Sequence, residues 1–133
     1  ARAQSDIFYF SAAGKNTWRD ILTGYNYPEV NMISVLKPTA TVIGSFSRNQ
    51  PGLVRIDSSW WPNDGLVPVS SAKGPTINSR DQIVDDNGTA KAGRWNHLGL
   101  FLSTDHTAIV GWNMQDPTYF FRSLADRLGA LPQ

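Results

Sequence analysis

The chain has 133 residues, 41% of them hydrophobic and 17% charged, with a formal net charge of +1 and no cysteine. That length fits a single domain over residues 1–133, large enough to bury roughly two thirds of its unfolded surface. The balanced charge, with no lysine or arginine cluster, excludes the footprint of a nucleic-acid binder, and the absence of cysteine excludes disulfides and thiolate metal sites. The apolar stretches are too short to span a bilayer, and residues 1–6 lack the apolar core of a signal peptide. Secretion would therefore need a leader on a piece outside these residues.

Ile7-Phe8-Tyr9-Phe10 is a short apolar and aromatic run ended by Ser11-Ala12-Ala13-Gly14, which predicts a buried strand. Residues 15–31 carry Trp18, Tyr25, Tyr27, Pro28 and several turn formers, and read as loop with at most one helical turn. Between residues 32 and 46 the pattern is ambiguous. Ile33, Leu36, Val42 and Ile43 could line a helix, but Lys37-Pro38 breaks any long one. Residues 40–44 fit a helix piece or a strand packed beneath the candidate site. Arg48-Asn49-Gln50-Pro51-Gly52 is a turn, and Leu53-Val54-Arg55-Ile56-Asp57 alternates weakly as it leads on.

The stretch that follows organises the rest: Trp60-Trp61-Pro62-Asn63-Asp64-Gly65-Leu66-Val67-Pro68-Val69-Ser70-Ser71. Asn-Asp-Gly supplies side chains that cap their own backbone and a glycine free to take positive φ, so the chain turns sharply here. A polar region from 73 to 93 follows and contains Asp85-Asp86-Asn87-Gly88, a hairpin or turn signal. It reads as a surface excursion with short strands. Apolar character returns over 94–102, is broken by Ser103-Thr104-Asp105-His106-Thr107, and resumes over 108–112. The last element is an amphipathic helix over 117–128, with Asp116 as cap, Pro117 at the first position, Gly129 at the exit, and Phe120, Phe121, Leu124 and Leu128 on one face.

A turn aspartate commonly caps only its own loop, and a lone histidine is more often a satisfied surface group. Taken together, Asp64 and His106 suggest more. Each sits at a loop tip beside strand-like runs, and acid before histidine is the tail of the Ser, Asp, His order of α/β-hydrolases. An imidazole base needs a carboxylate on its far nitrogen to fix the tautomer and stabilise the imidazolium. Asp64 is a better partner than Asp81, Asp85 or Asp86, which lie in the polar excursion. Asp105 adjoins the histidine and is placed to hold its loop rather than to grip the ring. The nucleophile is absent: no Gly-x-Ser-x-Gly occurs, and Gly44-Ser45-Phe46-Ser47 does not make that elbow. His97 is expected to be structural, Trp60 and Trp61 to pack the base of the acid loop, and Ser70 and Ser71 to satisfy backbone groups. An alternative of another class is a non-enzymatic, Trp-rich module that binds a polymer such as carbohydrate. Exposure of Trp60, Trp61 and Trp95 would favour it.

Asn63 to Ser71, then Trp95-Asn96, then Asp105-His106 with Ile109-Val110-Gly111, resemble the C-terminal part of secreted triacylglycerol lipases of the staphylococcal and Bacillus type, which are α/β-hydrolases. Tyr9-Phe10-Ser11 is similar to the strand that precedes their acid-bearing region. The resemblance implies a partial α/β fold, a mostly parallel sheet with a C-terminal helix, with Asp64 as triad acid and His106 as triad base. It also implies a secreted serine ester hydrolase whose nucleophile, oxyanion loop and first strands precede residue 1. The partners implied are that upstream segment and an ester or lipid substrate, with self-association through an exposed sheet edge where the segment is missing. No organic cofactor or metal is expected. Some members of the family bind calcium through an acidic residue two positions after the histidine, and here that position is Ala108. Asp116-Pro117 resembles the family's later calcium-site element a few residues further along, so calcium at Asp116 is the exception to test.

Overall fold

The computed structural model describes residues 2–112 and 116–132. Its centre is a three-stranded parallel sheet in the order β1-β5-β4, formed by β1 (Tyr9–Lys15), β4 (Ile83–Asp85) and β5 (Trp95–Leu102). Strand β1 is longer than the apolar run announces. Ser11, Ala12, Ala13 and Gly14, expected to end it, lie inside it, with a register shift between Ser11 and Ala13. Ile7 precedes the strand and is exposed, so the opening run is half-buried rather than buried.

Residues 15–31 are not simply loop. They form an antiparallel pair, β2 (Thr17–Arg19) and β3 (Asn26–Pro28), whose facing rings Trp18 and Tyr27 stand 5.9 Å apart. A 3-10 turn at Ser34–Leu36 then runs into α1 (Lys37–Ile43). No long helix spans residues 32–46, as Lys37-Pro38 predicts; Pro38 instead sits in the first turn of the seven-residue α1, where its missing N–H falls among donors that have no intrahelical acceptor. The buried side of this segment is Met32, Leu36 and Ala40, against which Ile33 packs, while Val42 is exposed. Residues 53–57 form no strand; an isolated bridge joins Arg48 to Ile56, and Arg48 Nε donates to the Val54 carbonyl at 3.2 Å. The Asp85-to-Gly88 signal is a turn and not a hairpin, since β4 and β5 run parallel. Asn96, fully buried, satisfies the returning loop through Lys91 N–H and the carbonyls of Lys91 and Arg94.

A short helix α2 (Val69–Ala72) packs on β1, and α3 (Thr118–Gly129) closes the described chain one residue later than predicted. Asp116 accepts from Thr118 N–H at 2.9 Å, but Pro117, expected at the first helical position, is the N-cap, and Gly129, expected at the exit, is the last helical residue before the C-cap Ala130. Phe120 meets Phe101 of β5 edge-on at 5.3 Å, and Arg127 pairs with Asp86. Phe121 and Leu128 of the predicted apolar face nevertheless stay about half exposed. The largest fully buried side chains are Asn16, Asn63, Asn96, Thr17 and Asp105. Of these, Thr17, Asn63 and Asp105 hydrogen-bond the loops at the carboxyl end of the sheet, while the Asn16 side chain has no partner among the described residues.

Candidate active site

Asp64 does not directly follow a parallel strand. The chain leaves β1 at Lys15, makes the β2–β3 pair and α1, and returns to the carboxyl end of β1 at residue 63. Asn16 N–H donates to the Asn63 carbonyl at 2.9 Å, and Asn63 N–H donates to the Thr17 hydroxyl at 3.2 Å. The Asn63 side chain is wholly buried and ties three elements. Its amide donates to the carbonyls of Ala40 and Trp61, and its oxygen accepts from Gly65 N–H at 2.8 Å. Gly65 has φ +105°, and a Cβ there would lie 2.8 Å from that of Leu36. Only glycine fits such a turn without strain.

The Asp64 carboxylate uses its two oxygens separately. Oδ1 accepts from Leu66 N–H at 3.0 Å and Val67 N–H at 2.7 Å, which fixes the side chain to its own turn. Oδ2 lies 2.9 Å from His106 Nδ1. A carboxylate only accepts, so Nδ1 carries the proton and the neutral ring has its lone pair on Nε2. Nε2 has no hydrogen-bond partner among the described residues, and the His106 side chain is 46% exposed. The backbone repeats the link, with His106 N–H donating to the Asp64 carbonyl at 2.9 Å.

The histidine loop follows β5 and is held from below by Asp105, which is 1% exposed. Its Oδ1 accepts from Thr107 N–H, the Thr107 hydroxyl and Ala108 N–H, and its Oδ2 accepts from Ile33 N–H at 3.0 Å. Burial acts to raise the Asp105 carboxyl, but these donors together outweigh it and hold the group below the usual carboxylate range. Gly14 of β1 completes the floor, where an added Cβ would meet the Thr104 carbonyl at 2.8 Å and Asp64 Cβ at 3.3 Å. The hollow here, about 150 Å³, is lined by Asp64 and His106 and by apolar groups including Ala12, Val67, Phe101 and Ile109.

The other candidates fall elsewhere. Asp81 accepts from Ala3 N–H and Asp86 pairs with Arg127, so neither faces the ring. His97 is buried on β5, with burial first and the Lys73 cation second depressing its pKa against the opposing pull of Asp85. Its Nδ1 lies 3.2 Å from Ser11 Oγ. That hydroxyl donates to the Lys73 carbonyl at 2.6 Å, so toward the imidazole it accepts. Trp60, Trp61 and Trp95 are all half-buried, Trp61 donating to the Phe46 carbonyl and Trp95 lying against Tyr9. Ser70 differs from expectation: its hydroxyl is buried without a partner among the described residues. Asp116 is exposed and occupied with its cap, Ala108 offers no side-chain oxygen, and no three acidic or histidine side chains gather among the described residues. Sequence reasoning missed Asn63 as the hub. Its only signal was its place before the acid in a turn.

A parallel sheet bearing loops at its carboxyl end, with a C-terminal helix, is the C-terminal portion of an α/β-hydrolase fold. No protein-family model matches the chain. EstA from Clostridium botulinum superposes with a TM-score of 0.92 at 38% identity, over 98% of this chain and 30% of that one. Lipase 1 from Pelosinus fermentans gives 0.81 at 39% identity, over 99% of this chain and 35% of that one. Staphylococcus hyicus lipase gives 0.79 at 26% identity, over 96% and 32%. In sequence, Lipase 2 of Staphylococcus aureus is 25% identical over 93 residues, 70% of this chain and 12% of that protein. The chain is related to the C-terminal part of lipases of the staphylococcal and Bacillus type, and it spans only a minor share of each of these relatives.

Proposed function

We propose that residues 1–133 act as one domain supplying the acid and the base of a secreted serine ester hydrolase, with Asp64 as acid and His106 as base. The observation that carries this reading is the 2.9 Å contact between His106 Nδ1 and Asp64 Oδ2, with no hydrogen-bond partner on Nε2 among the described residues. In the proposed reaction, Nε2 takes the proton of a serine hydroxyl as it attacks the carbonyl of a lipid or soluble ester. Asp64 holds the tautomer and stabilises the imidazolium, which then protonates the leaving alcohol. Water repeats the sequence on the acyl-enzyme. The serine and the oxyanion donors come from a segment upstream of these residues. That segment pairs with the open edge of β1, through which the chain self-associates when alone. No cofactor enters these steps.

The test compares p-nitrophenyl ester turnover and intact mass for the 133 residues and for the same reading frame with its upstream segment. Turnover is expected only with the segment, and His106→Ala is expected to abolish it. Saturable turnover by the 133 residues alone would overturn the assignment of the nucleophile.

A further inference from the structure

Two consecutive apolar side chains stand clear of the fold at the tip of the β2–β3 pair. Ile21 is 94% exposed and Leu22 is 90% exposed. The turn that presents them is closed by its own hydrogen bonds. Asp20 Oδ2 accepts from Thr23 N–H at 2.9 Å and from the Thr23 hydroxyl at 2.7 Å. Gly24 N–H donates to the Asp20 carbonyl, Asp20 N–H to the Tyr25 carbonyl, and Arg19 Nε to the Gly24 carbonyl. Behind the tip lies a tier of part-exposed rings, Trp18 and Tyr25, and Val30 and Val35 add exposed apolar surface at the far end of the same segment.

The position of this tip matters. β2 starts just past the carboxyl end of β1. The segment after β3 is bonded to the histidine loop, with Asn31 Nδ2 donating to the Ser103 carbonyl, Ile33 N–H to Asp105, and the Ser103 hydroxyl to Glu29. The prong and the Asp64–His106 pair therefore belong to the same end of the sheet and to one hydrogen-bonded unit.

We propose that the Ile21–Leu22 tip docks into a neutral lipid–water interface and holds the His106 end of the molecule against it. A second protein copy is a poor occupant. Two aliphatic side chains on a projecting turn supply at most a few hundred Å², against about 800 Å² that each partner of a stable protein interface buries. A lipid layer rewards such a prong without a complementary groove, and rings set behind it suit the headgroup level. Charge selects neutral lipid, since residues 15–37 hold Lys15, Arg19 and Lys37 against Asp20 and Glu29, close to balance. What the docking serves rests on the hydrolase reading, but the docking itself does not.

The experiment uses the protein with its upstream segment and vesicles of neutral phosphatidylcholine. Ile21→Ser/Leu22→Ser is expected to lower vesicle partition at least about tenfold, and turnover of emulsified triacylglycerol with it. Turnover of a monomeric p-nitrophenyl ester and the melting temperature are expected to stay unchanged. Ile21→Val/Leu22→Phe, which keeps the chemistry, should retain binding, and high salt should not weaken it. Unchanged partition in the serine variant overturns the proposal, as does binding that requires anionic lipid. A melting temperature that falls in the serine variant assigns the tip to the upstream segment, and a dimer lost in it assigns the tip to a second copy. Either outcome overturns the proposal. If the wild type turns over no soluble ester, the hydrolase reading fails, and vesicle partition still judges the tip.

Discussion

Replacing Asp64 by asparagine separates what holds the loop from what the carboxylate does for the histidine. The asparagine oxygen can still accept from Leu66 and Val67 N–H, so the turn around Gly65 should persist. Its amide then faces His106 Nδ1 where a carboxylate oxygen stood at 2.9 Å. An amide N–H needs an acceptor, so the ring takes the other tautomer and its proton moves to Nε2. In that state Nε2 no longer accepts the serine proton, and no negative charge stabilises an imidazolium. The expected cost in kcat is about ten-thousandfold, equivalent to about 5.5 kcal/mol of transition-state stabilisation. Steady-state turnover of p-nitrophenyl butyrate by the complete protein measures it, and a melting curve checks that the fold is intact. A drop of less than tenfold with unchanged melting would refute the reasoning and transfer the acid role to another residue.

Asp105→Ala leaves Ile33, Thr107 and Ala108 N–H buried without their acceptor, and should lower stability by about 3 kcal/mol or more in denaturant titration. The Asp105 carboxyl is held below its ordinary value, so its contribution is present above about pH 4 and is lost as pH falls through the folded value. The stability gap between wild type and Asp105→Asn should therefore narrow below about pH 4, and a constant gap would count against the cited hydrogen bonds. Gly65→Ala, at φ +105° and against Leu36, should cost about 2 kcal/mol and reduce turnover, read by melting and kcat. Calcium at millimolar concentration should leave the melting temperature unchanged. A strong shift that disappears in Asp116→Ala would make Asp116 a calcium ligand.

The turns that carry Asp64 and His106 were legible because turn chemistry is local. Asn63-Asp64-Gly65 states its own geometry, and acid-then-histidine order can be read without a structure. The helix at Thr118–Gly129 was legible for the same reason, through its cap and its apolar spacing. The rest depends on distant partners. Gly14 looked like the end of a strand because small residues signal breaks, yet it is small because Thr104 and Asp64 lie against it. The β2–β3 pair hides among turn formers, being only three residues a side and built on the contact of Trp18 with Tyr27. Much of the buried interior was silent to hydrophobic patterning because, beside the apolar cluster of Met32, Leu36 and Ala40, its largest fully buried side chains are Asn16, Thr17, Asn63, Asn96 and Asp105. No periodicity announces a buried asparagine.

The central claim is that His106, oriented by Asp64, activates a hydroxyl that is not among these 133 residues. Labelling with a fluorophosphonate, which captures only an activated serine, tests it most directly when the site of the adduct is mapped by mass. The account predicts no adduct on this chain alone, and with the upstream segment a single adduct on that segment, lost in His106→Ala. An adduct on any serine of residues 1–133, or one that survives His106→Ala at full rate, would contradict it.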